Sequence, residues 1–307
     1  MLLGPLLPNP QGVTTFVSTV DAGATAVPDQ TSEFSAVWLL DEATDTNRTA
    51  EVCASGTPSD CDLNEKSGID VGQDTSNKQE GVASASFDAA ANEDMRCDFS
   101  GGACDSLRTV AGGTAISWGA WFRPTGTCAG PGTGQGICYV MTAFDFAGDG
   151  FDMGRDSGGT PSDGGFRCSI DNTDAQSWGD TGLEADTWYH GVCTYGAVAS
   201  DDVLVYVNGL DDDADTPGNQ AVRATVDNQN SLFISGNTSS QDFNGNIDEV
   251  FIIDQELTAA EQCHICSCGI SNFRNCTYSG ASYVDEGVNA SLCNSCTLPA
   301  DPSNPIQ

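Results

Sequence analysis

The chain has 307 residues, of which 44 are acidic and 10 are basic, so its formal net charge at neutral pH is −34. A surface this acidic repels phosphate backbones and anionic lipids, which argues against nucleic acid and anionic membrane surfaces as partners. No segment is long and apolar enough to span a bilayer, so membrane insertion is not expected. The 14 cysteines form an even set and indicate an oxidising compartment, so we expect an extracellular, cell-surface or virion-surface location.

Residues 1–32 are expected to form an extended N-terminal arm. They include one β-prone stretch, "VTTFVSTV", and carry no charge before Asp21. Such a segment either pairs along a sheet edge, in its own or a neighbouring molecule, or remains disordered. Pairing between molecules would drive self-association. The opening "MLLGPLLPNP" has no basic residue and contains three prolines, so it does not resemble a signal peptide.

Residues 33–262 are expected to form one sandwich domain of about ten to twelve strands. Runs rich in Val, Ile, Phe and Trp alternate there with clusters of Gly, Asn and Asp. The main predicted strands, in chain order, are "FSAVWLL", "SASFD", "AISWGAWFRP", "ICYVMTAFD", "GFDMGRD", "GGFRCSI", "TWYHGVCTY", "VLVYVNG", "SLFISG" and "NIDEVFIID". This pattern predicts an all-β fold with two stacked sheets.

Local patterns within this series make specific predictions. "AISWGAWFRP" alternates, which predicts a half-buried strand with one shared face formed by Ile116, Trp118, Ala120 and Phe122. "NIDEVFIID" is almost continuously apolar, as in a strand covered on both faces. Asn208-Gly209 predicts a type I′ turn, and residues 148–150 predict a hairpin turn.

One short helix is predicted near the end of the sandwich. In "LTAAEQCHIC", Thr258 is the expected N-cap and Glu261 completes a capping box. Residues 263–307 then form a small Cys-rich tail, and its last residues are expected to fray.

The spacing of the cysteines favours local disulfides. Short loops separate Cys53–Cys61, Cys97–Cys104 and Cys128–Cys138, whereas Cys168 and Cys193 lie in strands that could be neighbours. The tail cysteines are expected to pair among themselves: Cys263, Cys266, Cys268, Cys276, Cys293 and Cys296. Their two Cys-x-x-Cys pairs have the spacing of a zinc ribbon. Zinc requires thiolates, however, and the other cysteines indicate oxidation, so no zinc is expected.

Several motifs occur together in a fixed order. They are "SAVWLLDEATD", "ASFDAAANEDM", "AISWGAWFRP", "DTWYHGVCTY" with "VLVYVNG", and "FNGNIDEVFIIDQELTAAEQCHIC". As a set they resemble the laminin-G-like, concanavalin A-like jelly-roll family over roughly residues 33–266. The resemblance implies a two-sheet antiparallel jelly-roll sandwich, here with one short helix and a small disulfide-rich C-terminal tail. It also implies that "WYH" is a core strand whose aromatic residues fill the sandwich.

His190 is one of only two histidines, so its role decides whether an enzyme is expected. Alternation places Trp188 and His190 on one face of the strand and Tyr189 on the other. Both this pattern and the resemblance favour a packed histidine over a catalytic base or a metal ligand.

Catalysis is not expected. The superfamily includes glycoside hydrolases, but the Glu-x-Asp-x-(x)-Glu strand of its retaining members does not occur here. Asp248 and Glu249 are adjacent, so in a regular strand they would point to opposite faces and could not act together on one bond. The same limitation applies to Asp41 and Glu42. No Gly-x-Ser-x-Gly elbow accompanies His190 or His264.

Calcium is the cofactor that the resemblance implies, because related jelly rolls often hold this ion. Asp248 of "IDEV" is the first candidate ligand, with Asp41 as its partner. A second candidate set lies in "DFAGDGFD" and consists of Asp145, Asp149 and Asp152, and a third spans residues 211–215. In so acidic a chain, each cluster is also consistent with a solvated surface. None matches an EF-hand loop.

Two non-catalytic functions therefore remain open. The first is a structural or adhesive subunit of an extracellular or virion-surface assembly, such as a filament, coat or decoration protein, assembled through the arm. The alternative is a secreted calcium-dependent module that binds a glycan or a surface protein. Trp178 in "DAQSWGD" lies in a polar, loop-like stretch suited to stacking on a sugar, although a core position is equally consistent.

Overall fold

Two antiparallel sheets stack face to face, as the alternating strands of the sequence predicted. The computed structural model describes residues 34–44, 47–66, 69–99, 104–107, 115–125, 137–143, 150–156, 164–170, 175–196, 203–212, 231–236, 241–268, 277–279, 282–284 and 293. The predicted N-terminal arm, the turn at residues 148–150 apart from Gly150, and most of the tail lie outside these ranges.

The larger sheet has nine strands: β1 (Phe34–Trp38), β2 (Val52–Cys53), β4 (Gly72–Asp74), β5 (Ser84–Phe87), β7 (Ile116–Pro124), β12 (Tyr189–Tyr195), β13 (Val203–Val207), β14 (Leu210–Asp211) and β16 (Gly245–Ile253). The second sheet has seven: β3 (Asn64–Glu65), β6 (Met95–Asp98), β8 (Ile137–Thr142), β9 (Phe151–Asp156), β10 (Phe166–Ile170), β11 (Ala175–Trp178) and β15 (Ser231–Ile234). Strands β17 (Thr277–Ser279) and β18 (Ser282–Val284) pair with each other. Short 3-10 turns span Pro58–Cys61 and Ala89–Ala91, and helix α1 spans Ala259–Cys268.

Strand β7 crosses the middle of the larger sheet and is buried on both faces. Its predicted inner face is confirmed, because Ile116, Trp118, Ala120 and Phe122 all join the core between the sheets. The predicted half-burial is wrong. Trp121, on the opposite face, is also fully buried, because the C-terminal part of the chain packs over it.

Helix α1 covers part of this outer face, where Ile265 packs with Val192 and Phe251. The predicted capping box is confirmed: the Thr258 N–H donates to Glu261 Oε2 at 2.6 Å, and the Glu261 N–H donates to Thr258 Oγ1 at 3.3 Å. The helix crosses residue 262, where the sequence placed the end of the sandwich. No helix in the described part of the chain is long and apolar enough to cross a membrane.

Disulfides join neighbouring segments throughout the fold. Cys53–Cys61, Cys97–Cys104 and Cys168–Cys193 are present, and these are pairings that the sequence favoured. Cys266–Cys293 ties α1 to the tail. Cys138 and Cys263 are also in disulfides, but Cys128, Cys276 and Cys296 lie outside the described residues.

Strand β16 changes its partner halfway along one edge. Residues 245–247 pair with β5, and residues 250–253 pair with β1. Between them the register with β7 shifts, which marks a β-bulge after Asp248. Such bulges redirect side chains and are common beside functional sites. The end of β1 and the chain entering β5 therefore meet at Asp248.

Candidate functional site

Asp248 anchors one end of a short loop at the junction of β1, β5 and β16. Its side chain is fully buried, and Oδ2 accepts the backbone N–H groups of Gln79 at 2.8 Å and Glu80 at 3.2 Å. A carboxylate oxygen is a strong acceptor for such groups, which would otherwise be unsatisfied. Asp248 therefore fixes the backbone of the chain that leads into β5.

Asp41 anchors the other end of the same loop. It follows β1, and its Oδ1 accepts the N–H groups of Val82 at 2.9 Å and Ala83 at 2.8 Å. We call residues 79–83 the clamped loop, because the two carboxylates hold both of its ends. The structure thus brings together the two aspartates that the resemblance singled out.

Three residues with left-handed backbone conformations surround the clamp. The φ angles are 59° at Leu40, 58° at Gly81 and 50° at Glu249. A β-carbon at residue 81 would overlap the Asp41 carboxylate, so the positive φ and the position of Asp41 both favour glycine here. Non-glycine residues in such conformations are uncommon and cluster at functional sites. Their grouping here singles out the clamp within the fold.

The β-bulge also affects the adjacent carboxylates Asp248 and Glu249. In a regular strand these two side chains would point to opposite faces. The register shift and the φ of Glu249 show that the strand is irregular at this point. Strict alternation therefore does not apply to the pair.

The electrostatics of the clamp favour a bound cation. Burial raises the pKa of the Asp248 carboxyl well above its usual range; the bonds from Gln79 and Glu80 oppose the rise, and the charges of Asp41 and Glu80 add to it. Lys78 Nζ donates to the Gly81 carbonyl at 2.7 Å rather than neutralising a carboxylate. Ionisation of Asp248 is therefore costly at this position unless a positive charge lies beside it.

The oxygen atoms at the clamp are suitable ligands for a hard cation. Asp248 Oδ1 and Gln79 Oε1 are both buried and have no hydrogen-bond partner within the described part of the protein. Calcium takes six to eight oxygen ligands from carboxylates, amide and backbone carbonyls and water. No three His, Cys, Asp or Glu side chains gather into a metal-binding group among the described residues, so two carboxylates would need neutral oxygens beside them.

The other predicted metal ligands are distributed differently. Asp145 and Asp149 lie outside the described residues, whereas Asp152 is buried in β9. Asp152 Oδ2 lies 3.4 Å from Arg167 Nη1, so this carboxylate has a protein cation as its partner. In the third set, Asp212 accepts the N–H and the hydroxyl of Thr181, and residues 213–215 lie outside the described ranges.

For Trp178 the sequence left open a loop suited to stacking on a sugar and a core position; the residue lies in the edge strand β11, opposite Arg167 of β10. The loop interpretation is wrong, because pairing with β10 satisfies the backbone of this polar stretch. The side chain is half-buried, and its Nε1 atom is buried without a hydrogen-bond partner in the described structure.

His190 is packed, but not inside the sandwich. Tyr189 joins the core between the sheets, whereas His190 packs against Trp121 of the outer face in a tilted arrangement, with ring centroids 4.9 Å apart. Burial lowers the pKa of His190 to about 3, so the ring is neutral at physiological pH. Neither ring nitrogen has a hydrogen-bond partner in the described structure, so no carboxylate orients it as a base.

No sequence pattern predicted the clamped loop itself. Residues 79–83 read "QEGVA", a stretch without a strand pattern or a metal-loop motif. Its only local signal is Gly81, and a single glycine in an acidic loop is weak evidence. The hydrogen bond between Gln79 and Asp248 joins residues that are 169 positions apart in the chain. A contact over that separation leaves no local sequence pattern.

Comparison with known proteins supports the fold. The family model for the concanavalin A-like lectin/glucanases superfamily, Laminin_G_3, matches residues 100–261. No curated protein matches the chain in sequence. Among solved structures, domain 4 of AbnA, an extracellular GH43 arabinanase from Geobacillus stearothermophilus solved with arabinotriose, aligns with a TM-score of 0.51 and 13% identity. That match covers 75% of this chain and 96% of the domain.

Two further solved structures are similar. The binding domain of Paraclostridial Mosquitocidal Protein 1 aligns with a TM-score of 0.52 and 15% identity, over 77% of this chain and 52% of that one. Trypanosoma rangeli sialidase aligns with a TM-score of 0.52 and 13% identity, over 78% of this chain and 33% of the sialidase. The chain thus spans about half of the first and a third of the second. Since the family model spans more than half of the 307 residues, the chain belongs to the concanavalin A-like lectin/glucanases superfamily.

Proposed function

We propose that the chain is a non-catalytic, calcium-dependent binding module that contacts an extracellular glycan or protein through the clamped loop. The observation that carries this proposal is the clamp, in which two carboxylates hold four backbone N–H groups of one loop whose tip, at Gly81 and Val82, is exposed. A loop held in this way loses little conformational freedom when it binds a partner. Binding residues are commonly found on loops that a rigid scaffold positions.

Val82 is the expected contact residue of this loop. It is 63% exposed, although its own N–H and that of Ala83 are both fixed by Asp41. A single exposed apolar side chain is ordinary on a protein surface. Here its backbone is immobilised, so burying it against a partner gains apolar contact at a small entropic cost.

Calcium would be held by Asp41 and Asp248, with the side-chain oxygen of Gln79 nearby. The ion would supply positive charge to two carboxylates that otherwise repel each other, and it would tie the ends of β1 and β16 to the loop. Each carboxylate uses one oxygen for the loop, so the clamp and the ion are compatible.

Three observations support a non-catalytic role. His190 is neutral and buried, the Asp152 charge is paired with Arg167, and Asp248 is occupied with backbone groups. Asp152 and Asp156 are four residues apart on one strand, so their Cα atoms are about 13 Å apart. This distance exceeds the separation between the two carboxyl groups that glycoside hydrolysis requires. The similar structures include a binding domain and a domain solved with arabinotriose, which supports binding rather than hydrolysis.

Calorimetric titration with CaCl₂ tests the proposal. Asp248→Asn keeps an oxygen for the two N–H groups but removes the charge, so we expect an intact fold and at least a tenfold loss of calcium affinity. Asp180→Asn, at an exposed aspartate, is the matched control. Calcium-dependent binding to a glycan array or to cell-surface protein should disappear in EDTA and in Val82→Asp. A wild-type protein that gave no heat with calcium would contradict the proposal.

The structural-subunit role rests on the sequence of residues 1–32, which lie outside the described residues. Its support is the uncharged, β-prone character of the arm together with the disulfides, which favour an extracellular setting. Deletion of residues 1–30 followed by light scattering is the test. Assembly through the arm requires the shortened chain to be monomeric where the full chain is not.

A further inference from the structure

Lys66 and Asp94 are cross-strand neighbours at one end of the seven-stranded sheet. Strands β3 and β6 pair as far as Glu65 and Met95. The next opposing residues are Lys66 and Asp94, and the Lys66 N–H donates to the Asp94 carbonyl at 3.3 Å. Side chains that oppose each other in this way are close neighbours on a sheet. Here their charged ends meet, because Lys66 Nζ lies 3.2 Å from Asp94 Oδ2.

A second carboxyl group, that of Asp242, lies beside this pair. Asp242 follows β15, the strand that pairs with the other edge of β6. A β-carbon at Gly236 would overlap Asp242 Oδ1, so this glycine leaves the space that the carboxyl occupies. Burial raises the pKa of Asp242 to about 6; the charge of Asp94 adds to the rise and that of Lys66 opposes it. We call Lys66, Asp94 and Asp242 the lysine triad.

The lysine triad is poorly satisfied as a set of ions. Asp94 is 3% exposed and Asp242 is 2% exposed. Asp94 Oδ1 and Asp242 Oδ2 are buried and have no hydrogen-bond partner within the described residues. One ammonium group thus serves two buried carboxylates, and burial of incompletely paired charge is costly. A metal ion would not relieve this cost, because Lys66 already supplies the positive charge next to Asp94.

The contact also brings two reactive groups together. A lysine amine becomes a nucleophile once it loses its proton, and Asp94 Cγ is one C–O bond beyond the oxygen that Nζ contacts. Groups held about 3–3.5 Å apart react as if they were at very high concentration. The pKa of about 6 allows Asp242 to accept and return a proton near neutral pH.

We propose that Lys66 and Asp94 join in an isopeptide bond, with Asp242 as the proton carrier. The Lys66 ammonium gives one proton to the Asp242 carboxylate, and the lone pair of the neutral Nζ attacks Asp94 Cγ. The C–N bond forms and one C–O bond of Asp94 breaks. That oxygen leaves as water, with one proton returned by Asp242 and a second taken from the nitrogen. The product is a neutral amide with one N–H, and no oxidant, reductant or cofactor takes part.

The amide would relieve the electrostatic cost of the triad. It removes one positive and one negative charge, and it leaves an N–H that can donate to the remaining carboxylate of Asp242. Residues 67–93 contain no cysteine, so a bond between Lys66 and Asp94 links a part of the chain that no disulfide can close. The clamped loop, residues 79–83, lies within this part. The reaction itself requires neither calcium nor a ligand.

Mass spectrometry of the full chain tests the proposal. After denaturation and complete reduction of the disulfides, the protein should weigh one water molecule less than its sequence. Lys66 and Lys78 are the only lysines, so the bond is simple to locate. Trypsin should fail to cut after Lys66, and residues 49–78 should be recovered covalently joined to residues 79–96.

Three substitutions separate the bond from an ordinary ion pair. Lys66→Arg keeps the positive charge but cannot form the amide, so its mass should equal that of its sequence. Lys78→Arg is the matched control and should still lack one water. Asp242→Asn keeps the size of the side chain but cannot carry the proton, so the fraction of joined chains should fall at least about tenfold. Asp242→Glu restores the carboxyl and should restore the joined fraction.

A wild-type chain at its full sequence mass would overturn the proposal, as would a loss of water that persists in Lys66→Arg. An unchanged joined fraction in a folded Asp242→Asn variant would remove Asp242 from the reaction. None of these masses depends on calcium, so the isopeptide bond and the calcium-dependent binding proposed above can fail separately.

Discussion

Asp41 and Asp248 bind opposite ends of the same loop, although Asp41 follows the first described strand and Asp248 lies in the last strand of the sandwich. In each residue, one carboxylate oxygen accepts hydrogen bonds from two backbone N–H groups. The loop between β4 and β5 is therefore held by side chains rather than by a strand partner. Its stability should depend on these two carboxylates more than on its own sequence.

Asp248→Ala should destabilise the protein strongly. It removes the acceptor of two buried N–H groups, and each unsatisfied group costs about 1–3 kcal/mol, so we expect a loss of about 2–6 kcal/mol in the free energy of unfolding. Chemical denaturation at pH 7 measures it. Asp180→Ala, at an exposed aspartate, should stay within about 0.5 kcal/mol of the wild type. Equal losses in the two variants would show that the clamp carries no stability.

Gly81→Ala tests the backbone of the clamped loop. The φ of 58° and the overlap with Asp41 both oppose a β-carbon, so we expect a loss of about 2 kcal/mol and a weaker response to calcium. Gly182→Ala is the control, because nothing lies within 4 Å of the added carbon. That variant should be neutral or gain up to about 1 kcal/mol. A tolerated alanine at residue 81 would mean that the loop can move away from Asp41.

His190 should make the protein sensitive to acid. Its pKa is about 3 in the folded chain and about 6.5 when unfolded, so the unfolded state binds more protons between these values. Stability from this residue is present above pH 6.5 and falls by about 1.4 kcal/mol per pH unit below it, or about 2 kcal/mol from pH 7 to pH 5.

His190→Leu isolates this effect. Burial raises the pKa of Asp152 to about 7 and that of Asp242 to about 6, and these carboxyls act in the opposite direction as the pH falls. The quantity to measure is therefore the difference between variant and wild type in denaturation at pH 7 and pH 5. A difference that does not change with pH would contradict a buried, neutral His190.

Removal of the Cys266–Cys293 disulfide should weaken the packing of helix α1 and the tail against the outer face of the larger sheet. The bond closes a separation of 27 residues, and replacing both cysteines by alanine should cost about 3.5 kcal/mol. The two cysteines share a buried cluster with Trp121, so the fluorescence of Trp121 should shift to the red as water enters. Removal of Cys97–Cys104, with a separation of 7, should cost about 1 kcal/mol less and leave that emission unchanged.

Local patterns predicted local structure well. The capping box of Thr258 and Glu261 is present as expected, and Asn208 and Gly209 both have the positive φ that a type I′ turn requires. The inner face of β7 followed from alternation alone. These features depend on residues within a few positions of one another, so they can be predicted from local sequence patterns.

Contacts between residues far apart in the chain were harder to predict from the sequence. The second face of β7 was predicted to be exposed, because nothing near Trp121 in sequence indicates that Cys266 and Cys293 cover it. Asp152 was expected as a metal ligand, since its pairing with Arg167 depends on the register of two strands. The Asp41 and Asp248 pair was reached only through the family resemblance. Pairings of this kind depend on topology, which periodicity does not encode.

The covered outer face of the larger sheet has a consequence for where this domain ends. The region shared with the superfamily stops at residue 261, yet Ile265, Cys266 and Cys293 beyond it bury Phe251 and Trp121. A fragment that ends at residue 261 would keep all sixteen strands of the two large sheets. It would nevertheless expose Phe251 and Trp121, which are apolar, to water. The segment needed for a fully covered domain therefore extends beyond the region that matches the family model.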